Sequence, residues 1–147
     1  MNALQFPSFP FRLRSTPRGT EIWDRCRSSW YLLTPEEWVR QHVVWYLIEH
    51  LNYPAGRVAV EKSLKLNGMN KRADVVVYSA SGEPFLLVEC KSTDVDISQL
   101  VFDQAARYNL VLRVPYLMVT NGLRHFTAQI NFEENNWHFL QNLPVCQ

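Results

Sequence analysis

Arg72-Ala73-Asp74-Val75-Val76-Val77-Tyr78 and, after a short turn, Phe85-Leu86-Leu87-Val88-Glu89-Cys90-Lys91 decide the fold. Both runs are β-branched and apolar, and Ser79 to Pro84 between them holds Gly82, so the stretch reads as a hairpin of two largely buried strands. Side chains alternate along a strand, which puts Glu89 and Lys91 on one face. A turn centred between Ser81 and Gly82 sets Asp74 opposite Glu89, with Cβ atoms about 5 Å apart. Two carboxylates facing each other at the end of an apolar hairpin repel. A divalent cation between them relieves that repulsion, and an all-oxygen donor set selects a hard ion, Mg²⁺ or Mn²⁺.

The flanking sequence supplies helices and further strands. Thr34-Pro35-Glu36-Glu37 opens a helix, with Thr34 as N-cap, Pro35 at the first helical position and acids in the first turn. Val39, Val43, Tyr46 and Leu47 then repeat at helical spacing until Asn52-Tyr53-Pro54. A second helix is expected from Ile97 to about Leu110, with Leu100, Val101, Ala105 and Tyr108 facing inward. Strands are expected at Phe9 to Arg14, Glu21 to Asp24, Trp30 to Leu33, Arg57 to Leu66, Pro115 to Thr120, Arg124 to Phe132 and Trp137 to Leu140. The order β-β-β-α-β-β-β-α-β-β-β gives an α/β domain with a mixed central sheet flanked by helices. One domain over 1–147 is expected: an N-terminal β extension with a hairpin over 1–33, and a core over 34–147.

Composition excludes several classes. With 147 residues, 47% hydrophobic and 20% charged, the chain is neither disordered nor fibrous. No Gly-x-x-x-x-Gly-Lys-Ser/Thr loop occurs, so no phosphate cradle of an ATP-driven motor is present. Cys26, Cys90 and Cys146 are an odd number without a Cys-x-x-Cys, which argues against a zinc site or a disulfide framework. His42 and His50, and His125 and His138, lack further ligands at metal spacing. Trp23, Trp30, Trp38 and Trp45 read as packing residues rather than base-stacking platforms. No basic, apolar leader opens the chain and no apolar run is long enough for a bilayer, so a cytoplasmic protein without membrane contact is expected. Net charge is only +1, but residues 1–72 carry 11 Lys/Arg against 6 Asp/Glu, while residues 73–147 carry 4 against 8. The basic half, including Arg57, Lys62, Lys65, Lys71 and Arg72, suits a phosphate backbone.

Ala73-Asp74, then fourteen residues, then Glu89-Cys90-Lys91 resembles the PD-(D/E)xK nuclease signature. The wider sequence resembles the N-terminal nuclease domain of the restriction subunit of type I restriction enzymes. The matching pieces are Thr34 to Gln41, Lys71 to Tyr78, Leu87 to Lys91, Phe102 to Asn109 and Val119 to Gly122. Gln104-x-x-x-Tyr108 is also similar to the helix motif of RecB-type nucleases. Two departures are visible: Ala73 stands where the name-giving proline would be, and the translocase of those restriction subunits has no counterpart in these residues.

The resemblance implies a restriction-endonuclease-like fold and a metal-dependent nuclease. Asp74, Glu89 and the Cys90 backbone carbonyl would hold Mg²⁺ or Mn²⁺. Lys91 would orient or deprotonate the attacking water. Glu36, preferred to Glu37 because it shares a helix face with Val39 and Val43, would complete the site. Gln104 and Tyr108 would face the site or the nucleic acid, beside Lys62, Lys71 and Arg72. DNA is the expected partner, RNA the alternative, and a separate motor or modification subunit a further one. Two other function classes stand beside this: a non-cleaving nucleic-acid- or partner-binding module on the same fold, and an interaction protein whose acids are incidental. Glu61 reads either as an outer acid of the site or as a surface charge.

Overall fold

A computed structural model describes residues 3–146. Three short strands, β1 (Leu13–Thr16), β2 (Gly19–Asp24) and β3 (Ser29–Leu32), form an antiparallel sheet of their own. Helix α1 (Pro35–Trp45) follows and runs into a π-helical turn, Tyr46–His50. Six strands then make the main sheet in sequential order: β4 (Val58–Leu66), β5 (Met69–Tyr78), β6 (Pro84–Cys90), β7 (Tyr116–Thr120), β8 (His125–Asn131) and β9 (Asn136–Leu140). All pairs are antiparallel except β6 with β7, which run parallel. A parallel pair needs a crossover, and helix α2 (Gln99–Leu112) provides it. The mixed sheet flanked by helices is the architecture the sequence predicts, and the three expected N-terminal runs pair as β1, β2 and β3.

Local chemistry starts both helices. Thr34 Oγ1 accepts from the Glu37 amide at 3.1 Å, and Ser98 Oγ from the Val101 amide at 3.2 Å. The sheet divides the core in two. Val39, Val43 and Val44 of α1 and Leu47 of the π-helical turn pack with Val60, Val75, Val77, Leu86, Val88 and Cys90 on one face. Phe102, Ala105, Ala106 and Leu112 of α2 pack with Leu64, Ala73, Val76, Leu87, Leu117 and Val119 on the other. Each large apolar side chain so buried stabilises by about 1.5–3 kcal/mol.

The inward stripe of α2 differs from expectation. Phe102, Ala105, Ala106, Asn109 and Leu112 are buried, whereas Leu100 is 78% exposed. Asn109 decides the rotation: its buried amide donates to the Val114 and Tyr116 carbonyls at 3.3 and 3.1 Å, pinning the helix end to β7. Trp38 and Trp45 pack against Phe11 as expected of packing residues. Trp23 and Trp30 lie beneath Arg12, whose guanidinium carbon is 4.9 and 5.4 Å from their rings.

Gly122 ties the N-terminal segment to this core. Its φ is +86°, and the Gln5 amide donates to its carbonyl at 2.8 Å. A Cβ there would lie 2.9 Å from Leu4 Cδ2 and 3.0 Å from Val39 Cγ2. Gly122→Ala therefore combines a left-handed backbone with a clash against α1, and it is expected to destabilise the protein by about 1–3 kcal/mol in urea unfolding. An unchanged midpoint would mean that residues 3–6 do not dock as described.

Candidate metal centre and acidic cluster

The site lies where the pairing of β5 with β6 ends, Asp74 in the middle of β5 and Glu89 next to the last residue of β6. Pairing of β5 with β6 runs out to Val75 opposite Val88, which sets Asp74 against Glu89 at the next position. The two acids are nevertheless delivered differently. Cys90, Val88 and Leu86 pack on the α1 face and Leu87 on the α2 face, so alternation sends Glu89 towards α2. There Lys71 Nζ lies 3.9 Å and Lys91 Nζ 3.4 Å from Glu89 Oε1.

Asp74 turns to α1 because β4 and β5 both break step beside it. Ala73 packs on the α2 face and Val75 on the α1 face, although residues two apart in a regular strand share a face. On β4 the same exchange separates Val60 from Leu64. The ladder passes from Val60 opposite Val75 to Lys62 opposite Ala73, omitting Glu61 and Asp74, and Glu61 has a φ of +53°. An irregularity of this kind re-aims a side chain.

Asp74 is compensated on both oxygens. Oδ1 accepts from Arg40 Nη2 at 3.0 Å and Oδ2 from the Cys90 amide at 2.8 Å. Burial pushes its carboxyl up from the ordinary range, while the Cys90 amide and the Arg40 guanidinium pull it back. The mutual repulsion of Asp74 and Glu89 expected from the sequence is thus relieved by separate cationic partners, Arg40 for one and Lys71 with Lys91 for the other. Arg40 also bonds Glu37 at 2.9 Å and Glu61 at 2.8 Å, with Glu36 at 3.7 Å.

The two acids that open α1 have different surroundings. Glu37 is buried, and its carboxylate is taken by Arg27 at 2.6 Å and Arg40 at 2.9 Å. Glu36 is half exposed; burial and the nearby Asp74 charge push its carboxyl up, against the pull of Arg40 and Lys91. The structure therefore brings Glu36, Asp74 and Lys91 into one electrostatic neighbourhood and commits Glu37 to ion pairs.

A pocket of about 320 Å³, its open mouth included, is lined by both Asp74 and Glu89, with Lys71, Arg72, Ala105, Tyr108 and Asn109. Lys71 Nζ stands 4.7 Å over the Tyr108 ring, and Arg72 bonds Glu61 at 2.6 Å. Gln104 is exposed and does not line this pocket, and Lys62 is exposed on β4, away from its wall. The Cys90 thiol is fully buried in the α1-side core, and burial holds its pKa well above the ordinary value. It is inert as a thiolate.

Among the described residues no three His, Cys, Asp or Glu side chains close round one point. Two acids line the pocket, Asp74 and Glu89, and Cys90 is not part of its wall. Such a hard-oxygen set suits Mg²⁺, which is held by one or two carboxylates and keeps its waters. Arg40 was not among the candidates drawn from the sequence. The signal was there: an arginine inside the buried run Val39 to Val44 demands counter-charges. Several basic side chains of the first half are ion-paired within the fold, Arg27 and Arg40 mostly buried and Arg14, Arg25 and Arg72 more exposed.

No helix among the described residues is long and apolar enough to cross a membrane. A family model described as the type I restriction enzyme R protein N terminus matches residues 35–144, leaving β1 to β3 outside it. No curated protein matches the chain.

The Arg40 contact reverses the sign that simple repulsion gives for a substitution at Asp74. Asp74→Asn takes a charged acceptor from a buried guanidinium, so without added metal it should destabilise by about 1–3 kcal/mol. Thermal unfolding in EDTA checks this; a variant as stable as the wild type would mean that repulsion between Asp74 and Glu89 dominates.

Proposed function

Because the chain belongs to the family of type I restriction enzyme R protein N termini, as the match over residues 35–144 shows, we propose that it is a Mg²⁺-dependent nuclease hydrolysing phosphodiester bonds in DNA. One observation carries the proposal: Asp74 and Glu89 line a single pocket, with Lys91 held on Glu89 and Lys71, Arg72 and Tyr108 on the same walls. Paired carboxylates followed by a lysine, beside basic and aromatic groups, are what cleavage of a charged backbone requires.

Asp74, Glu89 and the Cys90 carbonyl would hold the metal. When bound, the ion supplies charge that activates water and stabilises the leaving oxygen. The chain's own residues do the rest. Lys91, steadied by Glu89 Oε1 at 3.4 Å, orients the attacking water and sets its ammonium against the non-bridging oxygens of the scissile phosphate. Lys71 and Arg72 draw the backbone to the pocket, and the Tyr108 ring offers a flat wall beside Lys71. Glu36, with its carboxyl pushed up, stands next to Asp74 as a further proton acceptor. A separate motor or modification subunit is the partner that a restriction-related domain of this kind would serve.

Lys91→Ala tests the proposal. Plasmid nicking in Mg²⁺ should fall at least a hundredfold, the range lost with a positioned acid–base or charge-stabilising group, while duplex affinity and its salt dependence stay near wild type. Wild-type binding without any nicking would instead make the protein a binding module on a nuclease fold. Undiminished nicking by the variant would remove Lys91 from the chemistry.

A further inference from the structure

Arg40 lies on the inner side of α1, with a side chain 9% exposed, and every partner it has is an acid. Nη1 reaches Glu37 Oε2 at 2.9 Å; Nη2 reaches Asp74 Oδ1 at 3.0 Å and Glu61 Oε1 at 2.8 Å. An arginine that serves stability alone is best satisfied by a planar, bidentate grip on one carboxylate. Here the fork is spread over acids from α1, β4 and β5, and the buried Nε is left without a partner. The strands are bent to the same end. Glu61 holds a left-handed φ of +53° inside β4, a conformation that a non-glycine residue keeps only when its surroundings impose it. The ladder omits that residue and Asp74 together, and both carboxylates reach Arg40.

We infer that Arg40 is the positioning residue of the candidate metal site: it fixes Asp74 Oδ1 while the Cys90 amide fixes Oδ2, so the carboxylate presents its remaining lone pairs in one direction. The inference rests on the metal-site reading above and adds the group that aims the ligand. Hydrogen-bond partners behind a ligating carboxylate set its orientation, and losing one costs about 10–100-fold in metal affinity. Glu37 takes the other arm of the same guanidinium and does not touch Asp74, which makes it the internal control.

The test is isothermal titration of Mn²⁺ into the full chain as wild type, Arg40→Lys and Glu37→Gln, with urea unfolding of each. Lysine keeps the charge but loses the fork. Arg40→Lys should bind Mn²⁺ at least tenfold more weakly, while Glu37→Gln, though destabilised, should bind within about twofold of wild type. If Arg40→Lys does not fold, Arg40→Lys/Glu61→Gln removes an acid that lysine cannot reach and carries the same expectation. Equal affinity in wild type and Arg40→Lys, or equal loss in both single variants, would make Arg40 a structural clamp and overturn the inference while the metal site stands. A wild type that binds no Mn²⁺ would overturn the metal site and the inference together.

Discussion

A guanidinium cannot sit inside a protein without acids around it, and in this fold the acids come from three different elements. Arg40 projects inward from α1, and Glu37, Glu61 and Asp74 converge on it. Breaking such a pair by removing one partner leaves an uncompensated buried charge, which is costly by several kcal/mol. The requirement ties the first turn of α1 to the two strands beneath it. It also explains why β4 and β5 exchange faces at Glu61 and Asp74 instead of alternating regularly. The network extends outwards: Arg27 joins Glu37 to Asp24, and Gln41 donates to Asp24 at 3.0 Å, so the N-terminal sheet is fastened to the same helix turn.

The candidate site is carried on strands and not on a loop, Asp74 in the middle of β5 and Glu89 near the end of β6. Glu89 and Asp74 are set by strand register and one irregularity, and both line the pocket that Tyr108 of α2 closes from the side. Sites carried on rigid elements are precise, and an acid fixed on both oxygens is more so. The arrangement fits a domain of the restriction-enzyme R protein N-terminal family, whose matched region begins at the first residue of α1.

Much of this was legible in the sequence because it depends on neighbours along the chain. Alternation and the turn at Gly82 give the β5–β6 register correctly through Val75 and Val88, and Thr34-Pro35 marks the start of α1. What depends on contacts between distant elements was not legible. The face exchange at Asp74 is invisible to alternation because it accompanies a contact with Arg40, thirty-four residues away. The rotation of α2 follows from Asn109 reaching two carbonyls of the next segment, which no helical period encodes. Most arginines of the basic first half also make ion pairs within the fold, which charge counting along the chain does not reveal, and Arg72 does so with a side chain 67% exposed. Glu36 was preferred to Glu37 on helical spacing. The structure gives the two acids different surroundings for another reason, since Arg27 and Arg40 occupy Glu37.

The central claim is that Asp74 and Glu89 hold one divalent cation between them. Crystals soaked in Mn²⁺ and measured for anomalous scattering test it most directly. The account predicts one strong peak within bonding distance, about 2.0–2.3 Å, of an oxygen from each carboxylate, with the Asp74 side chain still bonded to Arg40. Full-occupancy Mn²⁺ elsewhere, with Asp74 and Glu89 each remaining on their own cationic side chains and no density between them, would contradict it.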